Sequence, residues 1–189
     1  MHATDGNLSA LHSLVRPGYQ HLASARAKHH QQPDRVPIDF GATQTSGLNV
    51  CPLNRLRKFY GIEEKPLEIF EVIQMLGTVD DEMRKIMGSD VIGLNSMYDS
   101  AGCPIKSDSY KNFPMNDGTQ ALLSSQHEWD VAPNGRTYMY PLGDRSLAPS
   151  MLMPEGGYFF GLCNRSPGWD KDNLTPLEDF ASTISVSFA

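Results

Sequence analysis

No uncharged apolar run in this chain approaches the roughly 18 residues of a membrane span, and Met1 to Asn7 lack the basic-then-apolar order of a signal peptide. A soluble protein that does not engage a membrane is the expectation. Basic runs are missing too. The formal net charge is −6, with both signs interspersed, so no cationic stripe is available to track phosphates and nucleic acid is not an expected partner. Cysteine is scarce: Cys51, Cys103 and Cys163 match no CxxC spacing and leave an odd thiol in any disulfide scheme, which predicts a reduced, cytoplasmic setting. There is no GxGxxG or P-loop, and Gly156-Gly157 reads as a turn, so no nucleotide site is implied. Nothing repeats at a fixed period.

What is present is enough apolar material to bury a core: 40% of 189 residues are hydrophobic. The densest local signal is Pro33-Asp34-Arg35-Val36-Pro37-Ile38-Asp39-Phe40-Gly41-Ala42-Thr43. Its prolines disfavour helix, Val36 and Ile38 supply β-branched bulk, and Gly41 permits a sharp turn or close approach to a ligand. This predicts a first strand opening into a small polar loop, Thr43 to Gly47. Before it, Tyr19, Leu22 and Ala25 predict a helix ending near His30. After it, Pro52 in a first turn, Leu53, Leu56, Phe59 and Tyr60 on one face, and Gly61 as the stop predict a second.

Ile69, Val72, Ile73 and Leu76 have helical spacing. A further helix follows, with Thr78 and Asp81 as a capping box, Val79, Met83, Ile86 and Met87 as its buried face, and Gly88 at its end. Asp90 to Asn95 reads as a second buried strand. From about Ser100 helical periodicity disappears. Asn134-Gly135, lying between His127 to Val131 and Arg136 to Tyr140, predicts a tight β-hairpin. Near the end, Thr175-Pro176 starts a helix that the poor helix formers from Ser182 to Ala189 do not continue, predicting a chain truncated or frameshifted near Ala181, or else a naturally short domain.

In order along the chain, the expected helix His21 to His30, Pro33 to Gly41, Leu56 to Gly61, Gly88 to Leu94, Tyr138-Met139-Tyr140-Pro141 and Met153 to Phe160 resemble the uroporphyrinogen decarboxylase-like family, in its corrinoid methyltransferase-type branch. That resemblance covers the family's amino-terminal portion only. It implies an α/β fold: a partial (β/α)8 TIM-type barrel with an antiparallel β-hairpin insertion. The implied division is a loosely ordered N-terminus at 1–16, the first βα units at 17–99, a hairpin-rich insertion at 100–170 and the start of a truncated helix at 171–189. A complete barrel needs about 250 residues, so only a few units fit. Unpaired barrel edges would then drive self-association or aggregation.

The resemblance further implies a parent enzyme moving a methyl group between a corrinoid and a thiol or other acceptor, with a small-molecule or corrinoid-protein substrate. The family's zinc ligands lie in its carboxy-terminal half, so zinc and corrinoid belong to a full-length parent and no metal or cofactor is expected in these residues. His29 and His30 are adjacent, about 100° apart on a helix, and cannot clamp one ion together. Cys103 or Cys163 would need to meet a histidine in space. Tetrapyrrole decarboxylation is disfavoured, because the loop Gly41 to Gly47 lacks the arginine of true decarboxylases and Asp99 is offset from their late-strand aspartate.

No catalytic residue is identified. The candidate substrate-binding residues are Asp39, Gly41, Thr43, Ser46 and Asn95, against the plainer reading that they serve turns and caps. Tyr138, Tyr140, Tyr158, Phe159 and Phe160 can stack on a flat ligand or simply pack a sheet face. A non-catalytic binding module and an intact decarboxylase are the alternatives to an inactive fragment of a methyltransferase-type enzyme.

Overall fold

The computed structural model describes residues 29–33 and 35–163. The expectations for the N-terminal segment, for the body of the helix ending near His30 and for the helix start at Thr175 lie outside the described residues.

Helix α1, Val50–Phe59, is entered through Asn49, whose side chain accepts from the Cys51 N–H, and carries Arg57 and Lys58 in its last turn, where they favour the helix dipole. Its inner face buries Val50, Cys51 and Leu53, while Phe59, expected on that face, is 73% exposed. Strand β1, Leu67–Glu71, follows, then β2, Leu76–Gly77, antiparallel to it.

The helix expected across Ile69 to Leu76 is therefore a strand, a turn and a strand. Burial on both faces of β1 erased the alternation that would have marked it. Two local devices make the turn: the Glu71 carboxylate accepts the Ile73 and Gln74 N–H groups at 3.0 and 2.7 Å, and Met75 takes φ +53°.

Helix α2, Asp81–Met87, ends at Gly88 in the left-handed region, as its sequence predicts. Its cap is Asp80 rather than Thr78: Asp80 Oδ1 accepts the Met83 N–H at 3.1 Å, and Oδ2 pairs with Arg57 Nη1 at 2.5 Å, tying α2 to α1.

Strands β3 (Tyr110–Pro114) and β4 (Gln120–Ser124) form a hairpin, and β4 lies parallel to β1, giving the sheet order β2-β1-β4-β3. A second, wholly antiparallel sheet runs β5 (Trp129–Val131), β6 (Thr137–Met139), β7 (Met151–Met153), β8 (Gly161–Leu162). The hairpin at Asn134-Gly135 joins β5 to β6, pairing Trp129 with Met139 and Val131 with Thr137. One apolar cluster joins the two sheets, reaching from Val50, Val72 and Met75 to Met139, Met151 and Phe160.

Among the described residues the partial (β/α)8 barrel is not present. Two α-helices and two mostly antiparallel four-stranded sheets stand there in its place. Neither expected barrel strand forms, and the reason lies in where their N–H groups go. Pro37 has none to give, Ile38 donates to Asp90 Oδ2 at 2.8 Å, and Phe40 donates to Ser89 Oγ at 3.2 Å. Side chains thus take donors that a ladder would use. The two segments nevertheless lie side by side, with Asp90 N–H donating to the Ile38 carbonyl at 2.8 Å.

Candidate functional site

The polar loop after Phe40 is held mainly by its own groups. Asp39 Oδ1 accepts the Ala42 N–H at 3.1 Å, and the Gly41 N–H reaches the Ser46 carbonyl at 3.0 Å with φ +76° at the glycine. Thr43 and Ser46 share hydroxyls at 3.1 Å. These four candidates serve the turn, and Asn95 is exposed on the neighbouring segment. The aromatic candidates do not converge either: Phe160 is buried against Phe113 with ring centres 6.0 Å apart, whereas Phe159 is 63% exposed.

A different constellation is built at the start of the β3–β4 region. Residues 97 to 105 fold into a closed loop, in which Ile105 N–H donates to the Met97 carbonyl, Asp99 N–H to the Cys103 carbonyl and Gly102 N–H to the Asp99 carbonyl. Gly102 has φ +79°, which completes the turn without a Cβ penalty. Inside it, Asp99 Oδ1 accepts the N–H groups of Ala101 and Cys103 at 2.9 and 3.1 Å. The other oxygen, Oδ2, is thereby aimed at His127.

His127 sits just past β4. Its backbone N–H and its ring Nδ1 both meet the Ser124 carbonyl at 3.0 Å, and its Nε2 lies 2.6 Å from Asp99 Oδ2. Cys103 completes the group: one ligating atom each from Asp99, Cys103 and His127 lies within 4.8 Å of the others. Cys103 is fully buried, and the His127 and Asp99 side chains are 2% and 4% exposed.

Both imidazole nitrogens face oxygen acceptors, so the ring donates twice and is an imidazolium. Burial alone would lower its pKa. Hydrogen bonds to Asp99 and Cys103, together with the Asp99 charge, outweigh that and raise it to about 10.

A second thiol meets a carboxylate at α1. Burial, reinforced by the Asp117 carboxylate, pushes Cys51 up to about 12, so this cysteine is held as a thiol. For Asp117, burial would raise the pKa, but hydrogen bonds from Thr119, Cys51 and Arg55 bring it down to about 2.

The sequence offered no spacing that links Asp99, Cys103 and His127; only the notion of a cysteine meeting a histidine in space pointed that way. Comparisons with family models, with curated proteins and with solved structures find no match to this chain. Among the described residues no helix is long and apolar enough to cross a membrane.

Proposed function

We propose that this chain is a portion of a uroporphyrinogen decarboxylase-like protein, that its parent is an enzyme of the corrinoid-dependent methyltransferase type, and that the chain alone is inactive. The observation that carries this reading is the junction of two motif segments distant in sequence. Arg35, from the proline-rich motif, holds Asp90, from the Gly88 to Leu94 motif, through both guanidinium nitrogens at 2.7 and 2.5 Å. The Asp90 side chain is fully buried. Segments that jointly resemble one family are thus held to one another by a specific pair.

The parent would act in the cytoplasm on a small molecule or a methylated corrinoid protein. Zinc and corrinoid would be its cofactors. Zinc would hold a thiol substrate as thiolate, through residues the resemblance places outside this chain. The loop Gly41 to Gly47 contains no arginine to hold propionate or acetate groups, which speaks against tetrapyrrole decarboxylation. The test is to sequence the source DNA beyond codon 189 in all three frames. A His-x-Cys segment followed by a later cysteine supports the reading; unrelated sequence overturns it.

A second reading, a non-catalytic module that self-associates, is favoured by one surface. Val36 is 80% exposed, Ile92 64%, Leu94 101% and Met97 76%, so the paired segments and the loop that follows carry uncovered apolar side chains. Sedimentation of the purified chain tests it: concentration-dependent association that Leu94→Asp abolishes supports this reading, and a monodisperse monomer rejects it.

A further inference from the structure

We infer that Asp99, Cys103 and His127 form a site for a zinc-class divalent cation. The donor set is a thiol, an imidazole and a carboxylate, which suits Zn²⁺ or Co²⁺ far better than a hard ion such as Mg²⁺. Ligand atoms about 2.0–2.3 Å from a tetrahedral ion lie roughly 3.3–3.8 Å from one another. The three donor atoms lie within 4.8 Å of one another, with His127 Nε2 and Asp99 Oδ2 2.6 Å apart. Seating an ion therefore needs the imidazole and carboxylate to separate by roughly 1 Å, with the proton between them expelled.

The groups behind the donors are already arranged for ligation. A metal-bound histidine commonly donates its other N–H to a backbone carbonyl, and His127 Nδ1 meets the Ser124 carbonyl at 3.0 Å. A ligating carboxylate is commonly held by further hydrogen bonds, and Asp99 Oδ1 takes two backbone N–H groups. Ser100 Oγ donates to the buried Glu71 at 3.0 Å, fixing the loop against β1. The site thus joins the 97 to 105 loop to the end of β4, two parts of the chain that no helix or strand pairing links directly.

The proton balance follows from the metal-free state. A divalent ion binding the imidazolium, the Cys103 thiol and the Asp99 carboxylate displaces one proton from the ring and one from sulfur, leaving imidazole, thiolate and carboxylate as ligands.

Cobalt is the probe, added to the full chain after chelator treatment. The expected result is a thiolate-to-cobalt charge-transfer absorption that saturates at one ion per chain. Cys103→Ser should abolish it, and His127→Gln should weaken binding by more than roughly tenfold. Cys51→Ser and Cys163→Ser should leave it intact. Absence of the band in the wild type, or its survival in Cys103→Ser, overturns the site. Since the substituted loop can fail to fold, a second measurement uses the wild type alone: alkylation in mild denaturant with and without Zn²⁺, mapped by peptide mass. Zn²⁺ should slow modification of Cys103 more than that of Cys51, and equal slowing of the two overturns the proposal.

Discussion

Arg35 and Asp90 are 55 positions apart in the chain, yet the guanidinium meets both oxygens of the carboxylate, and Asp90 also takes the Ile38 N–H. The carboxylate is fully buried while the arginine side chain stays 36% exposed, so the two partners are not equivalent. Removing the arginine leaves a charge with nowhere to go. Arg35→Ala should cost about 3 kcal/mol in denaturant unfolding, within the range for breaking a buried pair from one side. Arg35→Lys should recover only part of it, since lysine cannot span both oxygens.

Protonation of His127 makes stability depend on pH in a definite direction. Its folded pKa is raised to about 10, above an unfolded value of about 6.5. The contribution is fully present below about pH 6.5 and is lost as pH rises toward 10, a loss on the order of a few kcal/mol. Urea midpoints measured across that range should fall steadily in the metal-free wild type. In His127→Gln the same series should be much flatter.

At Gly93 the paired segments approach too closely for a side chain. A Cβ there would stand 1.6 Å from the Ala42 carbonyl oxygen, a backbone atom that cannot rotate away. Gly93→Ala should therefore force the segments apart and destabilise the protein by about 1–3 kcal/mol, the usual cost of overpacking. Hydrogen exchange at the Asp90 amide, which donates to Ile38, should quicken in this variant.

Cys51 should be nearly inert to iodoacetamide at pH 8. With its pKa pushed up to about 12, little thiolate exists there, and the side chain is buried as well. Alkylation should run at least about a hundredfold slower than in the denatured chain. Asp117→Asn should speed it, because the carboxylate is one of the groups that keep the proton on sulfur.

The elements legible in the sequence were those with local punctuation. Pro52 and Gly61 bracket α1, Gly88 ends α2, and Asn134-Gly135 turns β5 into β6. Elements without it were misread. Ile69 to Leu76 has apolar residues at helical spacing, but the Glu71 side chain and the Met75 backbone fold it into a hairpin, and neither device has a periodic signature. Ile38 and Val91 looked like strand residues because β-branching reports a preference for extended backbone and not whether a ladder forms. The Asp99 and His127 pair was invisible for another reason: its members are 28 residues apart, and a loop closure brings them together.

Asn49 caps α1 with its oxygen, while its amide nitrogen donates to the carbonyls of Gln74 and Tyr158, the latter 109 residues away. Close by, the Phe160 N–H donates to the Ile73 carbonyl at 2.6 Å. The first helix and the first hairpin are therefore finished by the last described strand region. During synthesis, they wait for residues near 160 to leave the ribosome before these bonds can close. A long sequence separation of this kind slows folding, and a nascent chain in that interval exposes Val50, Val72 and Met75, which are fully buried in the finished protein.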